Sequence, residues 1–367
     1  MDIDERVYTV LKGAMPDRLP LLIYSNHLPR GNFERNMRNM GLGLDVRCRV
    51  YRAYTPNVKT ETRTIGDDLY TTYITPLGEV YSKRRINLRF QLPGGTWLVE
   101  HPIKNEEDIR IVKHMVEDTV YESCYEDYLQ LEESLEGDGV ITVGADYTPL
   151  MKTITGLMGF KNFAIMYRRN AEAIEELLEV LDRKYEEMYK IIAESPARIV
   201  RIGDNIDGVM ISPRLFEKYC LPYYNKYAQI LQESGKIVIS HMDGRLKTLK
   251  DLIARTKLDA IEAFTPPPMG NLRIREAKEA WKDKVLWMNY PEEVFLRTTE
   301  QIRAYTLGLL EEMAPGIGYI IGITEDIHPE HLKKGVQTLT ETLYEYGKLP
   351  LTVWPSREPN RMRSCPN

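Results

Sequence analysis

The chain has 367 residues, 43% of them hydrophobic and 28% charged, with a net charge of −5. That length holds one large α/β barrel or two ordinary domains, and the apolar share is enough for a sizeable core. The acidic balance and the lack of any lysine-rich block leave no footprint for nucleic acid or a membrane surface. Tyrosine outnumbers phenylalanine 23 to 7; its flat face and hydroxyl suit an aromatic ligand, although half-buried barrel and helix positions account for most of them. Cys48, Cys124, Cys220 and Cys365 are scattered without paired spacing, so no disulfide framework is expected and a reducing cytoplasm is the natural compartment. The opening Met-Asp-Ile-Asp-Glu-Arg lacks the basic and apolar regions of a signal peptide. No apolar run approaches the length of a membrane span.

In chain order, the first β-type run is Leu19–Tyr24, followed by Asn26 and His27. Residues 45–100 differ from the rest. Polar and apolar residues alternate over Arg63–Arg89 around the turn Thr75-Pro76-Leu77-Gly78-Glu79, which predicts an antiparallel hairpin inserted early in the fold. Leu92–Trp97 reads as the loop returning from it. Such an insertion caps a pocket or forms a subunit contact, and a homo-oligomer is one of the two expectations. Further strands are predicted over Val140–Ala145, Ile199–Gly203, Lys236–His241, Asp259–Phe264, Val285–Asn289 and Tyr319–Ile323. Helical patterns lie between them at Ala171–Ala193, Pro213–Ser234, Leu246–Thr256, Asn271–Trp281, Glu300–Met313 and Pro329–Tyr346.

Alternation repeated this often argues for a parallel sheet, and for a closed barrel over an open doubly wound one. No GxGxxG follows the first strand and no GxxxxGK[ST] is present, so dinucleotide and P-loop readings lack support. In a closed barrel the residues at the carboxyl ends of strands build the active site. Ile237–Gly244 is the clearest such end, an apolar run that stops at His241 with Asp243 two positions on. Two apart in an extended segment, these side chains face one side and can share a ligand, a proton or a metal ion.

Several segments resemble the uroporphyrinogen decarboxylase superfamily: Ile211–Phe216, Leu221-Pro222-Tyr223-Tyr224, His241-Met242-Asp243-Gly244, Asp259–Pro268, Gly156–Phe160 and Glu345-Tyr346-Gly347. The resemblance runs from about residue 15 to about 348 and implies a (β/α)8 TIM barrel, here one domain over 1–367 with the inserted segment at 45–100. The superfamily holds cofactor-free decarboxylases, with an arginine-rich segment after the first strand, and zinc methyltransferases that work with corrinoid proteins. After its first strand this chain has Tyr24–Arg30 instead, with only Arg30 and Arg35 nearby, thin for a tetrapyrrole carrying many carboxylates.

In the coenzyme M branch of the methyltransferases, zinc is held by His-x-Cys and a later Cys. Here the matching positions are His241, Asp243 and Glu325, so both thiolates are replaced by carboxylates. One histidine and two carboxylates hold zinc with an open position, and weaker electron donation leaves a stronger Lewis acid, suited to an ether oxygen. The resemblance therefore implies a zinc-dependent methyltransferase that demethylates a small methoxylated aromatic substrate and passes the methyl group to the cobalamin of a partner corrinoid protein. The alternatives are a metal-independent decarboxylase and a non-catalytic tetrapyrrole-binding barrel.

Candidate catalytic residues are Asp204 and Asn205, ending one strand, and Glu262, in the strand after His241. Each has a plainer reading: helix capping or loop roles for the first two, an ion pair with Arg273 or Arg275 for Glu262. Asp243 has one as well, as a cap for the following helix. Candidate substrate-binding residues are His27, Asp146, Tyr147, Trp287 and Asn289, with barrel core as the alternative for Trp287. His328 and His331 read as surface, Cys220 as core, and Met158 and Met166 as ordinary packing.

Overall fold

Among the described residues, fourteen strands run in chain order as β1 (Leu21–Tyr24), β2 (Leu42–Cys48), β3 (Tyr51–Tyr54), β4 (Lys59–Ile65), β5 (Asp68–Thr75), β6 (Gly78–Arg85), β7 (Trp97–Glu100), β8 (Val120–Ser123), β9 (Gly139–Gly144), β10 (Ile199–Ile202), β11 (Ile237–His241), β12 (Ala260–Phe264), β13 (Val285–Asn289) and β14 (Tyr319–Ile323). The computed structural model describes residues 1–88 and 95–352. β1, β2 and β9 to β14 pair in parallel and close into a barrel, β14 returning to β1. Helices alternate with these strands, the longest being Ala171–Glu194 and Pro329–Tyr346. This is the expected (β/α)8 TIM barrel.

The predicted strands lie within two residues of the observed ones, but the second barrel strand escaped the pattern. Buried parallel strands usually read as apolar runs, whereas β2 carries Asp45 and Arg47. Asp45 is 1% exposed and accepts from Thr142 Oγ1 at 2.6 Å, so a neighbouring strand supplies the partner that lets a carboxylate sit there. Pro213–Ser234, predicted as one helix, is two: Pro213–Tyr219 and Leu221–Glu233. Pro222 has no amide hydrogen to give back to the preceding turn and starts the second helix instead. The Leu246–Thr256 pattern contracts to a 3₁₀ turn at Lys247–Leu249 and a short helix at Lys250–Ile253. Asn271–Trp281 contracts to Ile274–Ala280.

Outside the barrel, β3 pairs with β8, and β4 to β7 form an antiparallel sheet. The β5–β6 hairpin turns where Thr75 faces Gly78, and Thr75 Oγ1 donates to the Gly78 carbonyl at 2.9 Å. Of the Leu92–Trp97 loop, residues 92–94 lie outside the described residues, as does Cys365, and Trp97 opens β7.

The amino-terminal end of the barrel is plugged. Ile3, Val7, Tyr8 and Val10 of the helix Ile3–Leu11 pack with Leu22, Ile199, Ile239, Val285, Trp287 and Ile320. Gly43 permits this approach: a Cβ there would lie 2.3 Å from Ile3 Cγ2. Trp287 is fully buried in this inner cluster, the barrel-core position that is the alternative to a pocket-lining one.

β12 contains a bulge between Glu262 and Phe264, with Ala263 at a φ of 59°. The extra residue breaks the alternation, so Glu262 faces the barrel interior while Phe264 swings outward onto Trp281, ring centroids 5.7 Å apart. A left-handed backbone costs an L-residue about 1–2 kcal/mol, and a β-branched one more. Ala263→Gly is therefore expected to raise the urea midpoint of unfolding or leave it unchanged, whereas Ala263→Val lowers stability by roughly 2 kcal/mol.

Candidate functional site

His241 ends β11 at the open mouth, in register with Glu262 on β12. Paired positions of parallel strands face the same side, and here they meet: His241 Nδ1 lies 2.9 Å from Glu262 Oε2. The other ring nitrogen, Nε2, is 3.9 Å from Asp243 Oδ2 and 3.5 Å from Glu325 Oε1. Ligand atoms of His241, Asp243 and Glu325 all lie within 4.8 Å of one another. Glu325 Oε1 is buried with no hydrogen-bond partner among the described residues. Asp243 caps nothing: the following turn has Leu246 at its N-cap and no side-chain cap bond. Of the predicted residues, these three converge as a cation would require.

Glu262 is fully buried and does not reach Arg273 or Arg275. Its Oε1 accepts from Tyr24 Oη at 2.6 Å, and Arg201 Nη1 donates to the same Tyr24 oxygen at 3.0 Å. Arg201 Nη1 lies 3.8 Å from Glu262 Oε1. Burial alone would raise the Glu262 carboxyl, but the His241 charge and hydrogen bond, followed by Arg201 and Tyr24, lower it to about 2. Burial opposes a charged imidazole at His241, yet Glu262, Asp243 and Glu325 hold it well above its usual range. The result is a histidine whose Nδ1 is committed to a carboxylate and whose Nε2 points at two more.

A cavity of about 640 Å3 opens at this mouth. His27, Tyr147, Asn205, His241 and Glu325 line it, together with Tyr24, Arg47, Arg49 and Arg201. The remaining candidates sit elsewhere. Asp204 is fully buried, accepting from Thr148 N at 2.8 Å, Thr148 Oγ1 at 2.7 Å and Tyr224 Oη at 2.6 Å. It ties the loop after β9 to the helix Leu221–Glu233, as a positioning residue. Asp146 pairs with Lys152 at 2.7 Å. Asn289, also fully buried, donates to Glu292 Oε1 at 2.8 Å and accepts from Thr324 N at 3.1 Å, so it holds the peptide just before Glu325. His27 meets Asp326 at 3.2 Å. A second cluster, His328, Glu330 and His331, gathers at the start of the helix Pro329–Tyr346, where the helix dipole disfavours a cation.

Sequence reasoning missed Tyr24, Arg47, Arg49, Arg201 and Glu292. The signal for Arg201 was a charge inside the apolar run Ile199-Val200-Arg201-Ile202, which a barrel tolerates only where an interior partner exists. Glu292 follows β13, with Oε2 buried and unpartnered among the described residues. Burial first, with the charges of Glu325 and Asp243, lifts it to about 7.

The family model for uroporphyrinogen decarboxylase (URO-D) matches residues 87–346. The chain belongs to the uroporphyrinogen decarboxylase family. Among curated relatives, the uroporphyrinogen decarboxylase of Geotalea uraniireducens is 25% identical over 238 residues, 63% of this chain and 67% of that protein. That of Carboxydothermus hydrogenoformans is 24% identical over 273 residues, 72% and 75% of the two chains. A methyltransferase from Methanosarcina mazei superposes with a TM-score of 0.59 at 14% identity, covering 94% of this chain and 99% of that one; this is a likeness of fold. No helix among the described residues of this family member is long and apolar enough to cross a membrane.

Replacing Glu262 by Gln removes the charge that orients His241. It is expected to lower the pH at which the His241 imidazole gives up its proton, read by NMR titration of the ring, because Glu262 is the largest influence favouring the charged ring. Burial raises the Asp204 carboxyl to about 7, against about 3.9 in an unfolded chain. The native state thus keeps a proton that the unfolded chain has released, so this contribution is complete below pH 4 and is lost as pH rises towards 7. Asp204→Asn is expected to flatten the fall in stability between pH 4 and 7 by roughly 1–3 kcal/mol relative to the wild type, measured by urea unfolding at each pH.

Proposed function

We propose that this family member is a zinc-dependent methyltransferase that demethylates a methoxylated aromatic substrate and delivers the methyl group to the cob(I)alamin of a corrinoid protein. The observation that carries the reading is the convergence of His241, Asp243 and Glu325 at the carboxyl end of the barrel. The set fits zinc: one imidazole with its second nitrogen fixed, two carboxylates, and a buried carboxylate oxygen with no other partner. When bound, zinc would supply Lewis-acid polarisation of the ether oxygen, which makes a phenolate a better leaving group. The Methanosarcina mazei methyltransferase, sharing the fold, is consistent with this reading.

The chain's own residues orient and position. Glu262 accepts the Nδ1 hydrogen and thereby leaves Nε2 as the donor atom; Tyr24 and Arg201 hold Glu262 from the far side. Asn289 fixes the Thr324 amide and so the start of the segment bearing Glu325. Tyr147 and Asn205 face the cavity, one offering an apolar ring face and the other an amide to a phenolic substrate. In this reading a corrinoid must approach through the open mouth in line with the methyl carbon.

One observation favours a second reading, decarboxylation of an acidic substrate without metal. The segment after β1 is poor in arginine, yet β2, the residue that follows it and β10 deliver Arg47, Arg49 and Arg201 to the cavity, and the curated relatives are decarboxylases. Metal content separates the two. Plasma mass spectrometry is expected to find about one zinc per chain in the wild type and less than about a tenth of that in His241→Ala and Glu325→Ala, with unchanged circular dichroism. A wild-type protein without metal that stays inactive after zinc is restored would overturn the methyltransferase reading.

A further inference from the structure

Beside the active-site cavity lies a second lobe of about 700 Å3, walled by β2, β3 and the helix Glu126–Leu135. The two lobes share Arg47, Cys48 and Arg49, and Arg52 lines the second alone. Arg47 and Arg49 rest on neutral groups, and Arg52 meets the Cys124 side chain with Glu126 and Asp127 nearby. Arg47 stacks over the Tyr24 ring at 4.1 Å and reaches Asn26 Oδ1 at 3.5 Å, while Arg49 lies 5.8 Å from the Tyr51 ring centroid. None has a carboxylate within ion-pair distance among the described residues. Among the described residues Asp127 is the one carboxylate lining the lobe, so the wall carries three positive charges against one negative. Gln130 and Ser134 add uncharged hydrogen-bonding groups on the far side.

A methoxylated ring alone needs no such wall. A cavity of a few hundred Å3 already houses a small aromatic molecule, and unpaired arginines clustered at a pocket recognise carboxylate or phosphate oxygens through their forked donors. A net charge of about two positive units is matched by a dianion and left half-compensated by a single carboxylate.

We propose that Arg47, Arg49 and Arg52 form an anion subsite for a doubly charged group on the methyl donor, a dicarboxylate or a phosphate ester, with its methoxyl end turned to the barrel mouth. This rests on the reading of the first lobe as the methyl-donor site. The subsite supplies binding and orientation, while His241, Asp243 and Glu325 remain the chemical centre.

The test is isothermal titration of the full-length protein with 4-methoxyphthalate, 4-methoxyphenyl phosphate, 3-methoxybenzoate and uncharged methoxybenzene. At least one dianion is expected to bind tenfold or more tightly than 3-methoxybenzoate, with methoxybenzene weakest and the gap narrowing in high salt. The tighter of the two dianions identifies the source. The Arg49→Gln/Arg52→Gln double variant, which leaves Arg47 stacked on Tyr24, is expected to lose at least tenfold for the dianion while its affinity for methoxybenzene holds. Equal affinities across the four compounds, or a preference that survives the double variant, would overturn the subsite. The same titrations on His241→Ala keep the two proposals apart. Dianion preference that persists in His241→Ala supports the subsite independently of the metal, whereas a wild-type protein that shows the preference yet holds no zinc and transfers no methyl group supports the subsite and refutes the function. Transfer that proceeds equally well from methoxybenzene does the reverse.

Discussion

The 2.9 Å contact between His241 Nδ1 and Glu262 Oε2 organises the mouth of this barrel. A fully buried carboxylate is costly unless it is paired and hydrogen-bonded, and Glu262 is satisfied from several directions by His241, Tyr24 and Arg201. Removing any one leaves a charge or a donor stranded in a low-dielectric interior. The network therefore acts as a unit that holds the imidazole in one orientation, with Nε2 turned to Asp243 and Glu325.

That unit depends on the β12 bulge. Strict alternation beyond Glu262 would send Phe264 into the mouth, where it would fill the cavity. The left-handed Ala263 spends about 1–2 kcal/mol of backbone strain to send the ring outward onto Trp281, leaving space beside a charged group. Strain beside a functional carboxylate is the usual place to find it. The plugged amino-terminal end completes the arrangement: with Ile3, Val7 and Trp287 packed inside, ligands have access only from the face that carries the polar residues.

The site's electrostatics divide it by wall. β11 and the loop after β14 contribute the histidine and carboxylates that suit a cation, while β2 contributes guanidiniums that suit an anion. A substrate polarised at one end and acidic at the other satisfies both. The segment after β1 is poor in arginine; the cavity's positive charge comes from Arg47 and Arg49, in and just after a strand that the hydrophobic pattern did not reveal, and from Arg201 on β10.

What the sequence determined by itself was local. The 2.0 and 3.6 periods marked most barrel strands and the longer helices, Pro213–Tyr219 and Thr299–Met313 begin at their own caps, and the two-residue spacing of His241 and Asp243 put both at one strand end. The resemblance carried by His241-Met242-Asp243-Gly244 extended that to Glu325. What only the tertiary structure decided were partners distant along the chain: Glu262 against Tyr24 and Arg201, Asp204 against Thr148 and Tyr224, Asn289 against Thr324. Asp204, Asn289 and Trp287 stand at or near strand ends just as His241 does, and nothing in their local sequence says which of them face inward to structure and which to the cavity. Barrel closure and strand register settle that, because they choose which side chains share an interior layer, and the polar groups so enclosed must find one another.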